Sequence, residues 1–409
     1  MASQYRSPGV YRQEVFLKPE ARLETGVPGF VGLAGESSPT PPNQPVALSR
    51  KEEFATKFSL AAEGAGYLAE AVAGFFDNGG RRCYVARAAN TEESGRETAL
   101  LAALESLALW EDLDLLAVPD VMTLRSSPTG ALDLEAVKRV QQAMLRQCAQ
   151  LGTRLAILDA PPESDLNRLL QYRRDLTVGQ AEPVNGAIYY PWLQIMGLRI
   201  SGLGITGRSE NRFVPPSGHV AGIYARTDAK AGVFKAPANE EVFGVLDLGV
   251  SDGGAETAIP LDNRSQDELN PEGINCLRAF RGRGLRVWGA RTLSRQPEWR
   301  YVNVRRLFLT LRRWIEQNMA WASYEPNEAR LWVRIQRELT IYLLKLWQDG
   351  ALAGLTPEQA FYVKCDAETN PPEERELGRV VTEIGLAPGS PAEFIVIRIT
   401  HRAGGAEVT

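Results

Sequence analysis

The residues of this 409-residue chain best suited to metal binding or nucleophilic chemistry are two histidines, His219 and His401, and four cysteines, Cys83, Cys148, Cys276 and Cys365. No two of the six are close enough in sequence to form a metal-ligand pair, so a zinc site has no starting point. The cysteines read as reduced, structural thiols. Gly202-Leu203-Gly204-Ile205-Thr206-Gly207 has the letters of a dinucleotide loop, but such a loop needs a strand before it and an apolar helix after it. Polar residues from Arg208 to Arg212 follow instead. No P-loop sequence occurs, so mechanical work by this chain would draw on something other than a bound nucleotide. No cofactor is expected.

His219-Val220-Ala221-Gly222 resembles the segment around the histidine of subtilisin-type proteases. A triad also needs a serine on a glycine-flanked turn and a supporting carboxylate. The nearby candidates, Ser217 and Ser251, lack that context, and a satisfied loop histidine is the better reading. The carboxylate pairs Asp112/Asp114 and Glu373/Glu374 read as solvated surface.

Short apolar runs alternate with helical periods from about residue 65 to 200. Strands are expected at Cys83–Ala86, Leu113–Val118, Leu155–Leu158 and Gly186–Tyr190, between helices such as Leu134–Leu151. That rhythm argues for an α/β fold with a helix-covered, mostly parallel sheet. Residues 197–273 read as connection rich in glycine, proline and asparagine. Two amphipathic helices are expected over Val302–Tyr324 and Glu328–Gln348, with Asn327 as candidate cap and Gly350 past the end. A third begins at Thr356-Pro357-Glu358-Gln359. A composition of 44% hydrophobic and 23% charged residues suits two or three globular domains and excludes a coiled coil or a disulfide scaffold. The polar start, Met1 to Val10, reads as unprocessed, and no apolar run is long enough to span a bilayer. Synthesis in a bacterial-type cytoplasm fits.

The formal charge of −4 hides an asymmetry. Cys276 to Gly350 holds fifteen basic and six acidic residues, a net +9, which leaves −13 elsewhere. Arg305/Arg312 and Arg306/Arg313 recur two turns apart on the first helix, and Arg330, Arg334, Arg337 and Lys345 line the second opposite its apolar stripe. This is either a solvated basic face or a surface that docks on an acidic protein. The aromatics and module of a nucleic-acid binder are missing, so no nucleic acid is expected. Both chain ends are strand-prone, with Val10, Tyr11, Val15, Phe16 and Leu17 at one and Phe394, Ile395, Val396, Ile397 and Ile399 at the other. They pair either within their own domain or with the sheet of a neighbouring subunit.

Several longer motifs occur in order. They are Ser7-Pro8-Gly9-Val10-Tyr11, Phe75-Phe76-Asp77-Asn78-Gly79-Gly80, Val214 to Asp228, Gly232 to Asn239 and Asn270-Pro271-Glu272-Gly273-Ile274-Asn275. Arg286 to Leu293, Tyr301 to Arg306 and Ala387 to Phe394 complete the set. Together they resemble the contractile tail sheath proteins of phages and bacterial injection systems, along essentially the whole chain. The resemblance implies a non-enzymatic subunit that stacks as hexameric rings around an inner tube and contracts to drive the tube through a target envelope. Its partners would be copies of itself, the tube protein, and baseplate and terminal cap proteins, without direct membrane insertion. The particle would sit in a phage virion tail or in the bacterial cytoplasm. The implied layout is an N-terminal arm over 1–20, a non-catalytic, subtilisin-like α/β domain over 21–273, an α+β C-terminal domain over 274–392 and a C-terminal strand arm over 393–409. In that family the arms add strands to neighbours' sheets. The basic residues Arg305, Arg306, Arg312, Arg313, Arg330, Arg334, Arg337 and Lys345 then become a candidate tube-facing or inter-subunit surface. The alternative is an inactive or divergent protein of subtilisin-like hydrolase fold.

Overall fold

The computed structural model describes residues 23–59, 66–89, 93–126, 130–179, 185–201, 204–252, 255–393, 399–402 and 405–408. Its centre is a sheet of nine strands. In chain order these are β1 (Pro28–Gly32), β2 (Val46–Leu48), β3 (Cys83–Arg87), β4 (Leu115–Ala117), β5 (Leu155–Asp159), β6 (Gly186–Tyr190) and, after a second sheet, β9 (Glu240–Glu241), β12 (Ile274–Phe280) and β13 (Gly284–Trp288). They lie in the order β2-β3-β1-β4-β5-β6-β12-β13-β9. The six strands from β3 to β12 are parallel, and β2, β13 and β9 add antiparallel edges. Strands such as Leu155–Asp159 are buried at every position because helices cover both faces, which is why they read as unbroken apolar runs.

One face carries α3 (Glu93–Ser106), α4 (Leu134–Leu151) and α5 (Leu166–Leu176), whose Leu100, Val140, Met144 and Leu169 pack on Val31, Leu116 and Leu158. Behind the other lie α1 (Glu52–Lys57), α2 (Leu68–Asp77) and α6 (Ser217–Ala231), with Phe75, Val220 and Tyr224 against Phe30, Leu115 and Ile157. The helices obey their local signals: Asp133 caps α4 by accepting the N–H groups of Glu135 and Ala136, and Gly152 closes it at φ 63°.

The stretch read as connection is built. β7 (Trp192–Ser201) and β8 (Gly204–Val214) form a long antiparallel hairpin in a sheet of order β11-β10-β7-β8, with β10 (Val245–Asp252) and β11 (Ala255–Ala258). Gly202 and Leu203 lie outside the described residues; Gly204 to Gly207 begin a strand, so the motif has no helix behind it. α7 (Asn263–Leu269) leads back to β12. Because β12 and β13 belong to the nine-stranded sheet, a boundary at residue 273 would cut through it.

After the sheet come α8 (Val302–Asn318), α9 (Ala329–Gln348), α10 (Pro357–Ala360), β14 (Phe361–Lys364), α11 (Pro372–Glu376) and β15 (Glu383–Leu386). The expected third helix is a single turn that runs into β14. Residue Glu328, not Asn327, occupies the cap position of α9; the Asn327 side chain instead accepts from Trp332 Nε1 at 2.8 Å. α8 is buried on more than one face because it is wedged between two cores. Val302 and Leu309 pack toward the main sheet, while Leu307 and Leu311 join Leu343, Leu352 and Phe361. β16 (Ile399–Arg402) and β17 (Gly405–Val408) form an antiparallel hairpin that starts at Ile399. The other arm positions, Val10, Tyr11, Val15, Phe16, Leu17, Phe394, Ile395, Val396 and Ile397, lie outside the described residues.

Candidate assembly interface

The basic residues of α8 separate into two kinds. Arg306 is 2% exposed, with Nη2 at 2.8 Å from Asp114 Oδ2 and 2.6 Å from Asp228 Oδ2, and Nη1 at 2.7 Å from Asp228 Oδ1. Its guanidinium also lies over the ring of Tyr224. Burial works against the charge, but the Asp228 and Asp114 carboxylates outweigh it and hold the guanidinium pKa above its ordinary value. Arg313, 3% exposed, donates to the backbone carbonyls of Glu24 and Asp112. Neither can belong to a surface in this protomer, because the helix wedge turns both inward. Asp114 is likewise buried rather than solvated, at 5% exposure.

Arg305 is half-buried, donating to Asn185 Oδ1 at 2.6 Å and covering the Trp299 ring. Arg312 is exposed, pairs with Glu316 and reaches over Gly152 at the carbonyl end of α4, where a cation is favoured. On α9, Arg330, Arg334, Arg337 and Lys345 are all exposed, as helical spacing anticipates. Arg334 stacks 3.5 Å from the Trp321 ring centre and pairs with Glu338. Val333 and Ile341, 64% and 61% exposed, lie at three- and four-residue spacing among these cations. The outer face of α9 is therefore basic and apolar together. Beside it, between α8 and α9, runs a groove of about 510 Å³ lined by Leu23, Trp314, Ile341, Tyr342 and Lys345 among others.

β14 and β15 pair only with each other among the described residues, from Phe361↔Leu386 to Lys364↔Glu383, which leaves two open edges. The β16–β17 hairpin is likewise a two-stranded sheet. Sheets this small are marginal alone, and open edges accept further strands.

Protease-like chemistry finds no support. Ser217 starts α6, where its N–H and Oγ both donate to Asp159 at 2.7 Å, and it is fully buried. His219 is a helix residue, not a loop one. Its ring packs against Gly74 of α2, and its Nδ1 has no hydrogen-bond partner. Burial lowers its pKa to about 4. The four cysteines are buried free thiols.

Family models match nearly end to end from residue 98. That of the phage tail sheath protein central domain covers residues 98–293, and that of the phage tail sheath C-terminal domain covers 294–402. The chain belongs to the phage tail sheath family. The models meet at 293/294, beyond the last strand of the main sheet. The tail sheath protein of Vibrio phage KVP40 is 27% identical over 198 residues, which are 48% of this chain and 28% of that protein. The chain thus spans less than a third of that curated relative. Among solved structures, the anti-feeding prophage helical sheath in its contracted state is 30% identical with TM-score 0.71, covering 97% of this chain and 99% of that one. An extracellular contractile injection system, the PVC sheath complex in its contracted state, gives 26% and 0.71 over 98% and 99%. As a member of this family the chain is a structural sheath protein rather than an enzyme.

The residues that spacing arguments missed are Asp114, Asp228, Arg291 and Glu393. Asp228, Arg291 and Glu393 stand inside family motifs while Asp114 lies outside them all, and nothing local marks which carboxylate meets which arginine.

Proposed function

We propose that this chain is the sheath subunit of a contractile particle. It polymerises as stacked hexameric rings around an inner tube, joins baseplate and terminal cap proteins, and contracts to drive the tube through a target envelope. The observation that carries the reading is the end-to-end likeness to the contracted anti-feeding prophage sheath. In this reading the particle is a phage virion tail or a bacterial injection particle assembled in the cytoplasm, and the α/β body is the family's non-catalytic, subtilisin-like domain.

The open edges of β14 and β15 support strand addition by neighbours, through Val10, Tyr11, Val15, Phe16 and Leu17 of one copy and Phe394, Ile395, Val396, Ile397 and Ile399 of another. About 17 extended residues reach roughly 55 Å, enough to bridge to an adjacent subunit. The exposed face of Arg330, Arg334, Arg337 and Lys345 on α9 and, separately, Arg312 and half-buried Arg305 on α8 are the candidate contacts with the tube or with acidic neighbours. Electron microscopy of the protein co-expressed with its tube tests the reading. Helical sheaths are expected from the full chain, and only soluble, folded protomers once residues 1–17 are deleted. Normal sheaths from the truncated chain would refute the arm's role.

A further inference from the structure

The first described residues after the N-terminal segment are held by an unusual concentration of polar contacts. Asp114 accepts the N–H of Gly26 at 3.0 Å and of Val27 at 2.6 Å. The same carboxylate receives Arg306 from α8, and Arg306 is shared with Asp228 of α6. Arg313 adds a bond to the Glu24 carbonyl. Gly26, at φ 72°, runs so close beneath α6 that a Cβ there would stand 2.5 Å from Ala225 Cα. Four separate parts of the molecule, β4, the loop before it, α6 and α8, thus grip one short segment.

The other end of the body shows the same chemistry from different residues. Glu393, the last described residue before 394–398, forms a two-pronged pair with Arg291, Nε to Oε1 at 2.9 Å and Nη2 to Oε2 at 2.5 Å. The pair is mostly buried, at 11% and 16% side-chain exposure. Arg291 is itself fixed by donating Nη1 to the Asn270 carbonyl, while its backbone N–H donates to Asn275 Oδ1. Asn275 also donates to the Ile188 carbonyl of β6, so this end is tied into the centre of the main sheet.

We infer that these are two arginine–carboxylate clamps that anchor the chain's terminal arms. Arg306 with Asp114 and Asp228 fixes the root of the N-terminal arm, and Arg291 with Glu393 fixes the root of the C-terminal arm. Tension drawn through either arm then enters the nine-stranded sheet and α8 together, and does not peel the terminal segments from the body. Bidentate arginine pairs suit this because their directional bonds resist both sliding and rotation. The inference rests on the arm reading above, which makes the termini carry tension between subunits.

Optical-trap extension of the full chain, held by handles at residues 1 and 409, tests it without needing assembly. The unaltered protein is expected to yield no early release before the body unfolds other than opening of the β16–β17 hairpin, which lies between Glu393 and the C-terminal handle. Glu393→Gln, which keeps shape but loses the ion pair, and Arg291→Lys, which keeps charge but loses the two-pronged geometry, should each add an early low-force release. Gly26→Ala should do so at the other end. Amide exchange around the affected root should quicken by about tenfold or more in each variant, with β5 unchanged. Variant extension traces and exchange identical to those of the unaltered protein would overturn the inference, as would early release beyond that hairpin in the unaltered protein. Sheaths built from the Glu393→Gln chain should fragment on contraction, where unaltered sheaths stay continuous; variant sheaths that contract intact would also overturn it. Absence of sheaths from the unaltered chain would refute the sheath reading alone and leave the extension result to decide the clamps.

Discussion

His219 and Asp159 are buried ionisable groups whose pH effects have opposite sign. Burial lowers His219 to about 4 and raises Asp159 to about 7, against ordinary values of 6.5 and 3.8. The unfolded chain protonates His219 first, so the stability that its neutral burial allows is present above about pH 6.5 and lost as pH falls toward 4. For Asp159 the folded chain holds the proton longer, so its contribution is fullest below about pH 4 and is lost as pH rises toward 7. His219→Gln should remove the first dependence, a change of up to about 3 kcal/mol relative to the unaltered protein across that window. Asp159→Asn, which can still accept the Ser217 N–H and donate to Ser217 Oγ, should remove the second. Urea unfolding of both variants at a series of pH values checks the two signs. Parallel stability curves for the variants and the unaltered protein would contradict the assignment.

Among elements, the α2–α6 crossing explains the string that looked like protease chemistry. Gly218 and Gly222 stand four residues apart on α6, and a Cβ on either would meet the backbone of Ala71 or Phe75 at less than 3.0 Å. Gly74 of α2 leaves room for the His219 ring in return. The string Gly218-His219-Val220-Ala221-Gly222 therefore encodes close helix approach. Gly222→Ala should destabilise the fold by about 1–3 kcal/mol through overpacking, measured as a drop in unfolding midpoint, while the same change at exposed Gly389, with open space around it, should be near neutral. The α8 wedge makes a second contrast. Arg306→Met leaves two carboxylates facing each other in the core and should cost about 3–5 kcal/mol. Arg312→Met should cost well under about 1 kcal/mol, because its pair with Glu316 is solvent-exposed.

For the whole molecule, the outer face of α9 is the proposed docking surface for the tube or an acidic neighbour. Reversing Arg330, Arg337 and Lys345 to glutamate, with Arg334 kept on Trp321, should leave the unfolding midpoint of the protomer nearly unchanged, since all three are exposed, yet abolish co-assembly with the tube. Sedimentation of co-expressed particles reads this directly, and unaltered co-sedimentation would remove α9 from the interface. The parallel sheet and the pair of long helices were legible in the sequence, because buried strands are uniformly apolar and amphipathic helices repeat at 3.6 residues. β14 was not legible: a capping pattern at Thr356 pointed to a helix, but only one turn forms before the chain pairs with β15, a partner more than twenty residues away. The hairpin β7–β8 was hidden for a different reason: the run of polar residues from Arg208 to Arg212 in β8 breaks the alternation that marks a strand.

By itself the sequence determined the α/β class, the family, the absence of a P-loop sequence and the concentration of positive charge after Cys276. Each of these is written in local composition, local period or the order of motifs. Only the tertiary structure decided how that charge is spent. Arginines two turns apart look equivalent along α8, but one face of that helix meets Asp114 and Asp228 from distant segments, and the other meets water. Helical spacing fixes which residues share a face; what covers that face depends on contacts between parts of the chain nearly two hundred residues apart.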